Sequence, residues 1–73
     1  MAHQVIWTKI ILEEFIELAN LNETEQMIMR TRAAGWTRTE QSMKLNLSLA
    51  TIDRVIKRLK AKYDQVQPYS VLL

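Results

Sequence analysis

The stretch Gly35–Leu59, GWTRTEQSMKLNLSLATIDRVIKRL, decides how this chain folds. It predicts a short helix, a tight corner and a longer basic helix. Thr37 with Glu40 forms a T-x-x-E capping box, in which each side chain satisfies the other's free backbone N–H, so a helix opens here. The next break comes just after Leu45, at Asn46, the residue after glycine that best tolerates a left-handed backbone. Leu47 is placed to plug the corner into the core. Ser48 is an N-cap that opens the second helix. Ile52, Val55, Ile56, Leu59, Tyr63 and Val66 then recur at helical spacing and predict its buried stripe. At about 100° per residue, the opposite face carries Ala50, Arg54, Lys57 and Ala61, flanked by Asp53 and Arg58.

The same grammar extends outward. Asn22 with Glu25 makes a second capping pair, preceded by Leu21 as a corner anchor. The helix after it is expected to turn Met27, Ile28 and Thr31 inward and to end near Ala34, with Gly35 as the left-handed residue beyond it. Upstream, Val5, Trp7, Ile11, Leu12, Phe15, Ile16, Leu18 and Ala19 form a wide apolar face on a helix opening at about Gln4. Lys9, Glu13, Glu14 and Glu17 lie opposite. Ile6 and Ile10 fall among those carboxylates. Either the end of the chain (Tyr69, Val71, Leu72, Leu73) covers them, or they form a protein-interaction surface. Pro68 stops any continuation of the last helix. The expected architecture is a small all-α domain of four helices, 4–19, 23–34, 38–45 and 49–64. It spans 1–67 and is followed by a tail, 68–73.

Composition narrows the function classes. The chain has 73 residues, no cysteine and one histidine, His3. No disulfide framework or thiol zinc site can form, and no metal or other cofactor is expected. No nucleophile–histidine set or phosphate-cradling glycine loop is present, so an enzyme is not expected. No apolar run approaches the ~20 residues of a membrane span, and the N-terminus does not read as a secretory leader. A cytoplasmic protein with no membrane partner is expected. The net charge of +2 is unevenly spread. Residues 1–36 hold three cations against five carboxylates, and residues 37–73 hold seven against three. Arg54, Lys57, Arg58, Lys60 and Lys62 run without a nearby acid except Asp53 and Asp64. This asymmetry suits a polyanion facing the C-terminal half, although a basic solvated helix face would also produce it.

A short helix, a corner and a basic helix make the layout of a helix-turn-helix, whose second helix enters the major groove of double-stranded DNA. A groove-entering helix needs a slim polar outer face, which Ala50, Asp53, Arg54 and Lys57 supply. Arg54 suits bidentate reading of guanine. Asp53 suits a cytosine amine, or else it orients Arg54 or Lys57. Lys57 and Arg58 lie where phosphates come near, and Lys60 and Lys62 add to the field. The helix N-termini at Thr37 and Ser48 favour phosphate oxygens. Thr37, Arg38, Thr39, Ser48 and Thr51 add side-chain donors. Each also has a purely structural reading: Thr37 and Ser48 are caps with or without DNA. Trp36 is expected to anchor a corner, and the methionines to fill the core, with Met29 and Met43 as candidates for a contact surface.

Residues 12–63 resemble region 4 of bacterial sigma factors, and residues 21–59 equally resemble LuxR-type response-regulator output domains. The matching letters are L-x-x-x-E-x-x-I-M from Leu21 to Met29, Gly35, and T-x-x-E from Thr37 to Glu40. They continue with Leu45, L-S-x-x-T-I from Leu47 to Ile52, Leu59 and Lys62. The resemblance implies that the helix after Ser48 is the recognition helix, with Ser48 and Thr51 as cap and phosphate contacts and Arg54 facing the groove. The acidic helix before Leu21 favours the sigma-like arrangement. Gln41 and Ser42 depart from the pattern, standing where the family has an apolar core residue and alanine. Either the third helix rotates so that Met43 packs, or Gln41 finds a buried partner. The other sigma regions are lacking, so the expectation is a stand-alone bacterial or phage regulator, or a piece of a longer protein. The expected function is sequence-specific DNA binding in transcription regulation. The alternative is a protein-binding adaptor of sigma-like fold that engages RNA polymerase or a sigma factor through Ile6 and Ile10. Helix 4–19 is also the expected seam of a homodimer.

Overall fold

The three corners that separate the four helices are built to one plan. Each consists of a left-handed residue, an apolar plug and an N-cap: Asn20-Leu21-Asn22, Gly35-Trp36-Thr37 and Asn46-Leu47-Ser48. At each corner the plug's N–H reaches back to a carbonyl five residues earlier, Leu21 to Ile16 (3.1 Å), Trp36 to Thr31 (3.0 Å) and Leu47 to Ser42 (3.1 Å). At Ile16 and Thr31 this bond satisfies a carbonyl that the helix end would otherwise leave free, while Ser42 O also accepts from the Asn46 N–H. The next helix begins at once, because the cap side chain accepts from the third residue beyond it: Glu25 N at Asn22, Glu40 N at Thr37 and Thr51 N at Ser48. Both expected capping boxes form, with Glu25 and Glu40 returning to the Asn22 and Thr37 amides. At Gly35, φ is +94° and the space around a Cβ would be empty, so the backbone angle alone calls for glycine.

The computed structural model describes residues 7–73, which form α1 (Lys9–Leu18), α2 (Glu23–Ala33), α3 (Arg38–Leu45) and α4 (Leu49–Val66), followed by a 3₁₀ turn (Gln67–Tyr69). The domain is all-α, as expected. None of these helices is long and apolar enough to cross a membrane. The first helix differs from expectation at its start. Trp7 and Thr8 are not helical, and Thr8 caps α1 by accepting from Ile11 N at 3.3 Å. Residues 4–6 of the expected helix, Ile6 among them, lie outside the described residues. The last helix continues two residues past 64, because Pro68 constrains only the positions from about Gln67 onward.

α4 packs against α1, α2, α3 and the 3₁₀ turn, which makes it the spine of the domain. Its Ile52, Val55 and Leu59 are buried with Leu12, Phe15 and Ile16 of α1, Leu21, and Ile28 and Met29 of α2. Burying a side chain such as Ile52 or Ile28 contributes about 1.5–3 kcal/mol each. Trp7, Phe15 and Tyr63 cluster at one end, with ring centroids 5.5–6.0 Å apart. Two residues expected inside are largely exposed, Leu18 on α1 and Met27 on α2, and Met29 takes the core position expected of Met27. The buried face of α2 is centred between Glu25, Ile28 and Met29, which leaves Met27 on the far side.

The chain after Pro68 is part of the packing. Leu73 is buried, and its main-chain oxygen accepts from the Tyr63 hydroxyl at 3.0 Å. Ser70 Oγ donates to Glu14 Oε2 at 2.8 Å. These contacts leave Tyr69 and Val71 exposed, and Ile10 remains 72% exposed, so the tail does not cover it.

Candidate nucleic-acid interface

Gln41 determines whether α3 supports α4 in a fixed position. It is fully buried, and its Nε2 donates to Ile28 O (2.9 Å) and Thr31 Oγ1 (2.8 Å) across the α2–α3 junction. Thr31 in turn donates to carbonyls one turn back on α2. Of the two outcomes set by the sequence, the buried partner is the one realised, and Met43 points outward. Gln41 Oε1 has no partner, so the junction keeps one unsatisfied acceptor. Ser42 also has a use: its Oγ donates to Leu47 O and closes the Asn46 corner from the side. Trp36 is half-buried in its corner, with Lys44 Nζ 4.7 Å above the ring.

With α3 seated, the exposed surface of α4 carries Ala50, Asp53, Arg54 and Lys57, while Ile52 and Val55 are buried. Among the described residues neither Arg54 nor Lys57 has a carboxylate partner. Asp53 is bound to α3, not to its neighbours on α4. Arg38 Nη1 lies 2.9 Å from Asp53 Oδ1, and both side chains are about half exposed. This pair fastens the first turn of α3 to the first turns of α4. Asp53 is thus paired with Arg38 rather than with Arg54 or Lys57, and with half of its side chain exposed its expected role toward a cytosine amine stays open to it. Thr37, Thr39 and Ser48 are exposed, and Thr51 is partly so. The Ser48 and Thr51 hydroxyls lie 2.9 Å apart. One hydroxyl donates to the other, which leaves one O–H of the two for an outside acceptor.

Arg58, unlike Arg54 and Lys57, has an ion-pair partner. Its Nε lies 3.2 Å from Glu25 Oε2, and Lys62 Nζ lies 2.9 Å from Glu25 Oε1. Glu25 is 1% exposed and also accepts from the Asn22 amide at 3.0 Å, so a capping residue doubles as the buried anchor of an ion triad. Burial pushes the Glu25 carboxyl up. The Lys62 hydrogen bond, the Asn22 N–H and the charges of Lys62 and Arg58 outweigh it, so the group titrates below its ordinary 4.5. Arg58, expected to contact phosphate, thus already has one partner on α2, while half of its side chain stays exposed. Lys62, expected only to add to the field, shares that partner.

The sequence reading missed Arg32. A basin of about 320 Å³ opens between α2, α3 and α4, lined by Arg32, Arg38, Asp53, Ile56, Lys57 and Lys60. Arg32 lies two turns after Glu25 on the face of α2 that meets α4, a placement that only the packing of the two helices reveals. No group of three or more metal-ligating side chains comes together among the described residues. Comparisons with protein-family models, with curated proteins and with solved structures find no match for this chain.

Proposed function

We propose that the protein is a sequence-specific DNA-binding transcriptional regulator, acting in the cytoplasm without a catalytic step, with α4 entering the major groove. The observation that carries this reading is the exposed face of α4, where slim Ala50 and Ala61 flank the unpaired cations Arg54 and Lys57. A helix surface without bulky apolar groups can approach base edges, and unpaired cations there need not give up an internal partner to bind phosphate or guanine. The short Asn46–Ser48 corner between α3 and α4 supports the helix-turn-helix reading. The resemblance to sigma region 4 and LuxR-type domains points the same way. Arg54 would read a base. Lys57 would contact phosphate, with Thr37, Thr39, Ser48 and Thr51 as further phosphate contacts.

An unbiased selection of binding sites from random duplexes tests the reading. The expected result is an enriched motif whose information falls at one position in Arg54→Ala. No enrichment, together with an affinity that does not change with salt, overturns it.

One observation favours a second reading, an adaptor that engages RNA polymerase or a sigma factor. Ile10 projects from the acidic outer side of α1 at 72% exposure, beside Glu13 and Glu17. The same outer side of α1 would serve a homodimer. Retained function in an Ile10→Glu variant counts against the adaptor.

A further inference from the structure

The basic basin adjoins a second, larger cleft of about 490 Å³ beside Trp7. Trp7, Phe15, Met29, Leu59 and Tyr63 line this cleft, together with Asp64. Arg32, Ile56 and Lys60 line both spaces, so an apolar end passes directly into a cationic end. The apolar end is aromatic: the Trp7 and Phe15 rings are 5.5 Å apart, and Tyr63 stands edge-on to both. At the junction, neither Arg32 nor Lys60 has an ion-pair partner among the described residues, whereas Arg38 is held by Asp53.

We propose that this cleft binds a small soluble anion with an apolar body, such as an acyl or aryl phosphate or carboxylate. The body lies against the partly exposed Trp7 and Tyr63, with Phe15 buried behind them, and the head sits between Arg32 and Lys60. The volume falls within the range of small-molecule sites, about 300–1,000 Å³, which combine apolar walls with a few convergent polar groups. Charge complementarity selects the ligand class. A neutral hydrocarbon leaves Arg32 and Lys60 unused, and a bare phosphate leaves the aromatic wall unused. An anion with an apolar body joins charge-assisted hydrogen bonds to burial of apolar area. Asp64 also lines the cleft and opposes a second negative group, so a single-headed anion fits better than a dianion charged at both ends. The site stands apart from the DNA reading, because none of its proposed contacts uses Arg54, Thr51 or Ser48.

The test uses the full chain carrying Trp36→Phe, which leaves Trp7 as the only tryptophan and makes its emission a report on the cleft. Octyl phosphate, inorganic phosphate and octanol are titrated separately, without DNA. The expected result is a saturable change with octyl phosphate, half-complete at a concentration at least about tenfold below that for either partial probe. Arg32→Ala and Lys60→Ala, both at exposed positions, each weaken octyl phosphate by about tenfold and leave octanol unchanged. Arg54→Ala has no effect. The proposal is overturned if octyl phosphate does not saturate, or if octanol binds as tightly. It is also overturned if emission responds to phosphatidylglycerol vesicles but not to octyl phosphate below its micelle concentration, which would make the cleft a membrane-contact surface. Any of these results leaves the DNA reading to be judged by its own selection experiment.

Discussion

The two flanks of α4 carry the same residue types and use them in opposite ways. On one flank Arg58 and Lys62 converge on a carboxylate that is itself out of water. On the outward face Arg54 and Lys57 have no partner among the described residues. The difference originates on α2. Glu25 must sit three residues after Asn22 to close the capping box, and that position happens to face α4. A capped carboxylate buried without cations would be costly, so it recruits the two cations within reach. A run of basic residues is therefore not one feature. It divides by helical angle and by what lies opposite into cations that hold the fold and cations free to bind.

Removing Glu25 is expected to have the largest effect. Glu25→Ala deletes half a capping box and strands Arg58 and Lys62 beside an apolar junction. The expected loss is about 2–4 kcal/mol, below the cost for a fully buried pair because Arg58 is half exposed and can turn to water. Urea unfolding should show a lower midpoint with unchanged slope. Acidity gives a separate check. The folded pKa of Glu25 lies below its ordinary value, so its stabilisation is present above about pH 4.5 and is lost as pH falls through the lowered value. Glu25→Gln should flatten that acid limb. A wild-type-like acid limb in Glu25→Gln would break the contrast between the flanks at its source. Next in size, Arg54→Ala should cost about 1–3 kcal/mol of discrimination between the selected site and its one-base variants, with stability unchanged.

Each of these features was legible in the sequence to the extent that it is local. Caps at Asn22, Thr37 and Ser48 and left-handed residues at Gly35 and Asn46 act over three to five residues, and each was readable from its neighbours. Asn20 was equally local and was missed, although Asn20-Leu21-Asn22 repeats the Asn46-Leu47-Ser48 pattern. Thr8 was missed because the apolar spacing continues upstream of it, and periodicity says nothing about where hydrogen bonding starts. The core of α2 was misjudged at Met27, because Glu25 was read only as a cap, whereas the structure buries it with Ile28 and Met29. The Glu25 triad joins residues more than thirty positions apart, and nothing in either segment announces the other. The same holds for Gln41, whose partners Ile28 and Thr31 lie on the preceding helix. Of the candidate site, the outward face of α4 could be read by counting turns. The pairing of Arg58 with Glu25 and the gain of Arg32 could not, because both depend on how α2 crosses α4.

A smaller effect separates neighbouring positions on the two flanks. Lys57→Ala should reduce the salt slope of DNA affinity by about 0.9, the loss of one neutralised phosphate, whereas Arg58→Ala should leave the slope unchanged and lower stability instead. Equal slope changes in the two variants would show that Arg58 leaves Glu25 on binding, which would erase the distinction between cations that hold and cations that bind.

The smallest expected effect is at Asp53, which stands between the two behaviours. Its pairing with Arg38 joins α3 to α4 but lies in solvent, with both side chains about half exposed, so Asp53→Asn should change stability by no more than about 0.5 kcal/mol. The consequence for binding is of opposite sign. The variant removes one negative charge from the face that would meet DNA and releases Arg38 to neutralise a phosphate. Affinity for non-specific duplex should therefore rise, and the salt slope should steepen by about 0.9. If Asp53 instead reads a cytosine amine, the slope stays as it was and the selected motif loses information at one position. Salt dependence and motif content, measured on this one variant, decide whether Asp53 restrains a cation of the binding face or reads a base itself.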